Sequence, residues 1–220
     1  MKANLFINYY IDKNTKRNNE LVTCLIKNLE NKAIDRLIIV LSSKDKDSLK
    51  SILKEKSKVF IIIYEGRPSY NYYFKLTNQF PDDINIIANT DIVISDPTVQ
   101  RLKEWNWRNY CLALSRYNYI NDKLIDAQAI HYNKKDSQDV WIVKGRFKNI
   151  PLAIFPLGKK GCDNRIAYLL SRFYHVINPS FSLRTYHYHL SDVRNYAPHG
   201  TSIDLVPPPY KLVPPMKLPL

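Results

Sequence analysis

Four polar segments beside apolar runs contain the residues that could do chemistry. The candidates are Asp91 in Asn-Thr-Asp, Asp139 in Ser-Gln-Asp-Val-Trp, Asp163 in Gly-Cys-Asp-Asn-Arg, and His187 and His189 in His-Tyr-His. Carboxylates and imidazoles are ligands of divalent cations, and a carboxylate can also act as a general base. These residue types therefore indicate metal binding and acid–base chemistry.

Asp91 lies at the polar break around which the chain is arranged. The apolar runs 84–87 and 92–94 flank this break, which consists of Asn89, Thr90 and Asp91. In open α/β sheets, ligands bind beyond the carboxyl ends of the strands, and a hard cation there needs an ionised oxygen ligand. The pattern predicts a buried strand that delivers Asp91 to a binding edge. The alternative is that Asp91 only caps a turn.

Asp163 and Asp139 are the two candidates for the general base. Asp163 opens an amphipathic helix that would hold it rigidly, although an Asp at a helix start is often only an N-cap. Asp139 adjoins a strand that contains Trp141, and it could instead be the base or bind a hydroxyl of a ligand. Trp141 either offers an apolar face to a ligand ring or is ordinary core.

Two histidines, His187 and His189, lie in a predicted strand over residues 182–189. Because side chains alternate along a strand, both would face the same site. There they could act as further metal ligands, or they could pair with carboxylates without a metal.

A phosphate-binding turn is predicted at Gly66-Arg67-Pro68-Ser69. This segment follows a strand and opens a helix, so it combines a flexible turn, a guanidinium and free backbone donors. The sequence contains neither Gly-X-Gly-X-X-Gly nor a Walker sequence, which disfavours a dinucleotide-binding or P-loop enzyme.

Strands and helices alternate over the first 95 residues. The predicted strands are 5–10, 37–41, 59–64, 84–87 and 92–94, and the predicted helices are one with apolar residues at 21, 24, 25 and 29, a second that includes 48–53, and a third over 69–80. This spacing predicts βαβ units and a mostly parallel central sheet flanked by helices. The expected class is α/β and Rossmann-like, with a nucleotide-binding half at about 1–96.

The remainder is predicted to form an acceptor and catalytic half at about 97–205, followed by a proline-rich tail. The predicted elements are a helix over 101–107, strands over 110–116, 140–143, 176–178 and 182–189, a loop over 122–136 and a helix within 161–173. Prolines as dense as those in 206–220 cannot sustain a helix or a central strand. We expect this tail or linker to be removable, and we expect the chain to be part of a longer, multidomain protein.

The net charge indicates which classes of partner the protein could bind, and the cysteines indicate the compartment in which it functions. A formal net charge of +13 over 220 residues favours an anionic partner: nucleic acid, an acidic membrane surface or a diphosphate-bearing substrate. The densest lysines, over 44–58, lie on a predicted solvated helix, which is weak evidence for nucleic acid. Three dispersed cysteines and the absence of a signal-like or transmembrane segment predict a soluble, cytoplasmic protein.

The order of these motifs resembles the GT-A glycosyltransferases, most of all small viral and bacterial sugar transferases. The resemblance covers about residues 4–195, with Asn-Thr-Asp in the place of the family's Asp-X-Asp. It departs from the family where Asn89 replaces the first carboxylate and Cys162 replaces the Glu of an acidic Glu-Asp pair. The first departure leaves a bound cation one charge short.

The resemblance implies a role for each matched residue. The implied ligands of Mn²⁺ or Mg²⁺ are Asp91, His187 and His189, and the implied base is Asp163 or Asp139. The implied nucleotide-binding residues are Asn8, Tyr9, Tyr10, Asp12, Arg67, Asn89 and Thr90.

The implied reaction is transfer of a hexose, with inversion, from a nucleoside diphosphate sugar to a glycan or glycoprotein hydroxyl. UDP-glucose or a UDP- or dTDP-rhamnose is the implied donor, and glycosylation of a viral capsid is one implied setting. Three rivals remain: a nucleotidyltransferase, a basic nucleic-acid-binding protein that uses a nucleotide-binding fold without catalysis, and a sugar-binding scaffold that has lost its base.

Overall fold

A computed structural model describes residues 1–50, 52–53, 57–120, 123–124, 134–188 and 205–219. The strands are β1 (Ala3–Asn8), β2 (Arg36–Leu41), β3 (Val59–Ile63), β4 (Ile84–Ala88), β5 (Ile92–Ile94), β6 (Tyr110–Leu114), β7 (Tyr117–Ile120), β8 (Lys123–Leu124), β9 (Val140–Lys144), β10 (His175–Ile177) and β11 (Thr185–His187). The α-helices are α1 (Thr15–Glu30), α2 (Tyr70–Leu76), α3 (Asp96–Glu104) and α4 (Cys162–Leu170).

The large sheet has seven strands in the order β3-β2-β1-β4-β9-β6-β10. Only β9 runs against its neighbours, since it pairs antiparallel with both β4 and β6 whereas the other pairs are parallel. This arrangement confirms the predicted class, an α/β protein with a mostly parallel central sheet flanked by helices. A smaller sheet of order β5-β11-β7-β8 adjoins it.

The central strands β1 and β4 are buried on both faces, as continuous apolar runs require. One face of the sheet packs on α1, whose apolar residues Leu21, Cys24, Leu25 and Leu29 are all buried, as predicted from their spacing. The side chain of Asn14 begins α1 by accepting the backbone N–H of Arg17. The sequence therefore folds here as its periodicity predicts.

Two of the connections between strands differ from the prediction. The segment after β2 forms a 3₁₀ helix over Ser43–Leu49 rather than the α-helix predicted to include 48–53. Helix α3 begins five residues before the predicted start at residue 101, because Ser95 accepts the backbone N–H of Thr98 and Pro97 suits a first helical turn.

The proline-rich tail is an integral part of the fold, contrary to the expectation from its composition. Its backbone pairs with the loop before α4 at Lys160 and with Asn178 after β10. Val206 and Val213 are buried in the core on one face of the sheet, and Leu218 in the core on the other. Extended proline-containing chain can make such contacts without being a sheet strand, because alternate residues still present donors and apolar side chains.

Within the described residues, no helix combines the length and the apolar character needed to cross a membrane.

We predict that removing residues 206–220 lowers the melting temperature by roughly 10 °C or more. The deletion exposes the pockets of three buried apolar side chains, each contributing about 1.5–3 kcal/mol, and a domain of this size shifts by about 2–4 °C per kcal/mol. Thermal denaturation followed by circular dichroism measures the change.

A matched pair of point variants separates burial from chain length. Val213 is 3% exposed and its neighbour Leu212 is 45% exposed. Val213→Ala should therefore destabilise the protein clearly more than Leu212→Ala. Equal effects of the two substitutions, together with an unchanged melting temperature after truncation, would show that the tail does not pack.

Candidate active site

The candidate residues meet at one edge of the large sheet. Ile7 pairs with Ala88, so the parallel strands β1 and β4 end side by side. The antiparallel strand β9 begins at that edge, where Val140 pairs with Ala88, and β6 ends there, where Leu114 pairs with Val140. The polar segments after β1, β4 and β6 and before β9 therefore face the same region.

Asp91 is held by two basic side chains. Its Oδ2 lies 2.5 Å from Nη2 of Arg17 and 3.1 Å from Nε2 of His187, and its side chain is 13% exposed. Burial alone would raise the pKa of Asp91, but the hydrogen bond from His187 and the charges of His187 and Arg17 outweigh it and lower that pKa strongly. Asp91 is thus an ionised, ion-paired carboxylate rather than an isolated turn residue.

Asp139 is the centre of a second cluster. Its Oδ1 accepts Nδ2–H of Asn89 at 2.7 Å, and its Oδ2 lies 2.5 Å from Nη1 of Arg116. The charge of Asp139 in turn raises the pKa of Arg116. Both carboxylate oxygens of Asp139 are therefore engaged by donors within the protein.

Asp163 has the opposite environment. Burial, followed by the nearby negative charge of Asp139, raises the pKa of Asp163 to about 7, although a hydrogen bond from Cys162 lowers it in part. The Sγ of Cys162 lies 3.0 Å from Oδ1 of Asp163, and burial raises the thiol pKa, so the thiol stays protonated and donates. A carboxylate with a raised pKa in the first turn of α4 has the properties of a general base.

The N-cap alternative for Asp163 does not hold. The residue that precedes α4 is Gly161, whose backbone is left-handed (φ 77°), and Asp163 lies within the helix. Helix α4 therefore begins without a side-chain cap, and the carboxylate of Asp163 is not used for that purpose.

The predicted nucleotide-binding residues after β1 lie at this edge in different environments. Asn8 ends β1, and its carbonyl accepts the hydroxyl of Thr90. Tyr10 and Asp12 are half-buried in the following loop. Tyr9 is only 1% exposed, so its ring belongs to the core and a ligand would meet its main chain at most.

Arg67 connects two loops. It is exposed in the turn between β3 and α2, where Ser69 caps the helix by accepting the N–H of Tyr72. A Cβ at Gly158 would lie 2.6 Å from Nη2 of Arg67, so the guanidinium packs over the backbone of the loop that leads to α4. The predicted phosphate-binding turn and the candidate base are therefore joined through Arg67 and Gly158.

Trp141 is core rather than a sugar platform. It is fully buried in β9, and its ring meets that of Tyr70 edge-on at 6.3 Å between centroids.

The described residues supply only some of the ligands that a resident divalent cation would need. Asp91 and His187 lie together as predicted, whereas His189 lies outside the described residues. Within the described part of the chain, no group of three or more His, Cys, Asp or Glu residues could hold a metal ion. Asp91 is also bonded to a guanidinium, which would repel a nearby cation by roughly 4 kcal/mol per unit charge at 4 Å. These residues alone do not fit a resident cation, so Mn²⁺ or Mg²⁺ stays a prediction.

Arg17 and Arg116 were missed as site residues. Arg17 lies four residues before Leu21 and seven before Cys24, so it continues the buried stripe of α1. A charged residue within an apolar helical stripe is the sequence signal that could have identified Arg17. Arg116 lies between β6 and β7, but nothing in the sequence pairs it with Asp139, which is 23 residues away.

No known protein family and no curated protein matches this chain. Solved structures that resemble it include 4-diphosphocytidyl-2C-methyl-D-erythritol synthase from Anaerococcus prevotii (16% identity, TM-score 0.38, 59% of this chain and 61% of that one), S. aureus TarS in complex with UDP-GlcNAc (10%, 0.44, 66% and 45%) and mannose-6-phosphate isomerase from Helicobacter pylori (12%, 0.41, 55% and 52%). The match spans less than two thirds of each of these proteins. Similarity of this degree assigns no function.

We predict opposite stability effects for two substitutions at this edge. Asp91→Asn should destabilise the protein by about 2–4 kcal/mol at pH 8, because it removes the charge of Asp91 from His187 and leaves Arg17 with Glu20, at 3.0 Å, as its remaining carboxylate. Asp163→Asn should stabilise it by about 1–3 kcal/mol at the same pH, because it removes a carboxylate whose ionisation the fold opposes. Urea denaturation of both variants measures the two changes.

The pH dependence provides the control. Because the fold lowers the pKa of Asp91, the stability that this residue contributes is fully present above its unfolded-state pKa. It is lost as the pH falls from there towards the lower native-state pKa. The raised pKa of Asp163 means that the native state is penalised progressively between about pH 4 and pH 7. The gain from Asp163→Asn should therefore vanish near pH 4, and a gain that is independent of pH would contradict this environment.

Proposed function

We propose that this chain transfers a hexose from a nucleoside diphosphate sugar to a hydroxyl of a glycan or glycoprotein, with inversion. The observation that carries the proposal is Asp163, a half-buried carboxylate with a raised pKa, fixed in the first turn of α4. It lies in the same electrostatic environment as Asp139, whose cluster adjoins the Asn89–Asp91 turn. A proton acceptor thus lies near the polar edge where the resemblance places a nucleotide.

The chemical step is a direct displacement. The acceptor oxygen attacks the anomeric carbon, the bond from that carbon to the diphosphate oxygen breaks, and the hydroxyl proton passes to the carboxylate of Asp163. Attack opposite the leaving group inverts the configuration. Asp139 serves as a positioning residue, since its bonds to Asn89 and Arg116 fix the neighbourhood of the base.

The diphosphate is proposed to bind between the segment after β1 and the turn that contains Arg67. Helix α1 has no acidic residue in its first turn, so its N-terminal end adds positive potential there. Arg67 supplies an exposed guanidinium beside the loop to α4. Asn8, Tyr10, Asp12, Asn89 and Thr90 are the proposed contacts to the nucleoside, together with the main chain of Tyr9.

The finer assignments follow the resemblance. UDP-glucose, or a UDP- or dTDP-rhamnose, is the proposed donor, and a capsid glycoprotein is one proposed acceptor. Mn²⁺ or Mg²⁺, if bound, would contact Asp91 and His187. No step of the mechanism above depends on that ion.

We predict that Asp163→Asn binds the donor normally but turns it over at least about a hundredfold more slowly, because loss of a general base costs about 10² to 10⁴ in rate. A thermal-shift panel of UDP, GDP, dTDP and CMP sugars, with EDTA or with Mn²⁺, first identifies the donor. Release of the nucleoside diphosphate with water as acceptor then measures turnover, and calorimetry measures affinity.

Two further variants serve as controls. Asp139→Asn should lose less turnover, with its main effect on stability or binding, and Asp82→Asn changes an exposed carboxylate and should leave both unchanged. The reverse ranking of Asp163 and Asp139 would exclude Asp163 as the base. If no nucleotide sugar or nucleoside diphosphate bound to the folded protein, the proposed function would be wrong.

A further inference from the structure

Four basic residues surround the start of α4. They are Lys159, Lys160, Arg165 and Lys211, here called the basic collar. Lys159 accepts the backbone N–H of Cys162 through its carbonyl, and Lys160 follows it in the same turn. All four side chains are exposed or half-buried, so their charges reach solvent.

The tail contributes to the collar. The backbone N–H of Lys211 donates to the carbonyl of Asn164 at 2.9 Å, and Nη1 of Arg165 donates to the carbonyl of Pro209 at 3.3 Å. The packing of residues 205–211 against the first turn of α4 thus fixes Lys211 beside residues 159–165. The collar is assembled by the fold from two segments that are 46 residues apart at their nearest members, Arg165 and Lys211.

The collar is not balanced by neighbouring acids in the described part of the chain. Among the ion pairs between described residues, none includes a collar residue. The acid in the first turn of α4 is Asp163, the proposed base. The N-terminal end of α4, a helix of nine residues, adds further positive potential at the same place.

We infer that the acceptor that reaches Asp163 is an anionic glycan, one whose sugar carries a phosphate or a carboxylate. This inference rests on the proposed function and deepens it by naming the class of acceptor. Asp163 lies in the first turn of α4, and the collar residues lie just before that turn, within it, or bonded to it through the backbone, so an acceptor hydroxyl that reaches Asp163 comes close to them. Positive charge there raises the local concentration of an anionic acceptor and orients its charged group, and it does neither for a neutral one.

The collar is distinct in role from Arg67. Arg67 packs over Gly158 at the beginning of the same loop and is proposed above to face the donor diphosphate. The diphosphate of a bound nucleotide would pair with the guanidinium of Arg67, and the collar residues would remain available to the acceptor. Saturating the donor site with nucleotide therefore allows anion binding at the collar to be measured by itself.

The test measures binding to the nucleotide-saturated protein. The full chain is saturated with the nucleoside diphosphate selected by the thermal-shift panel, and glucose, glucose 6-phosphate and glucuronate are titrated into it by calorimetry. We expect both anionic sugars to bind at least about tenfold more tightly than glucose, with a preference that weakens as salt rises. Tighter binding of glucose 6-phosphate than of glucuronate assigns a phosphate-bearing acceptor, and the reverse assigns a carboxylate-bearing one.

Two double variants with equal charge change separate the collar from the overall charge. Lys159→Gln with Lys160→Gln should weaken binding of the anionic sugars about tenfold and leave that of glucose unchanged. Lys44→Gln with Lys46→Gln removes the same charge from two exposed residues of the 3₁₀ segment after β2 and should change neither. Nucleotide affinity and melting temperature are measured for both variants to establish that each is folded and saturated.

Three results would overturn the inference. The first is equal affinity for glucose and for the anionic sugars, and the second is an equal loss in both double variants. The third is a double-stranded oligonucleotide that binds more tightly than the anionic sugars and loses its affinity in the collar variant, which would make the collar a nucleic-acid surface. Any of these leaves the proposed function standing if nucleoside diphosphate still binds, whereas absence of nucleotide binding defeats the proposed function itself.

Discussion

The fold depends on three consecutive side chains after β4, each bonded to a different element. Asn89 donates to Asp139 before β9, Thr90 donates to the carbonyl of Asn8 at the end of β1, and Asp91 bonds to Arg17 in α1 and to His187 in β11. The chain then continues directly into β5 of the smaller sheet. One polar turn therefore joins the two sheets and the first helix, and it does so at the edge where ligands bind in open α/β sheets.

The fold shifts the pKa values of two half-buried acids at this edge, Asp91 and Asp163, in opposite directions. Arg17 and His187 bond to Asp91 and keep its pKa low, whereas burial and the charge of Asp139 raise the pKa of Asp163 more than the Cys162 thiol, Arg116 and a backbone donor lower it. Cys162 contributes to this difference, because a neutral thiol at that position adds no second carboxylate charge beside Asp163. Such divergence between neighbouring carboxylates is typical of sites that divide binding and proton transfer between them.

The sequence predicted those parts of the structure whose signals are local. The buried runs of β1 and β4 and the apolar stripe of α1 are long enough to identify their elements, and the side chains that follow the strands were correctly placed at one edge. The tail was misjudged because its buried residues, Val206, Val213 and Leu218, follow no regular period. The pairing of Arg17 with Asp91 could not be foreseen either, since 74 residues separate them and no pattern records such a contact.

The docking of the tail has a consequence for the order in which the molecule is assembled during synthesis. Strands β1 to β4 leave the ribosome early, and β1, β2, β3 and β4 can pair among themselves as adjacent parallel strands. Helix α4 emerges later, and its first turn stays uncovered until residues 205–211 follow and bond to Lys160 and Asn164. A nascent chain could thus hold β1 to β4 paired while the neighbourhood of Asp163 is still incomplete. The surroundings of Asp163 are completed only when residues 205–211 have been synthesised and have packed against α4.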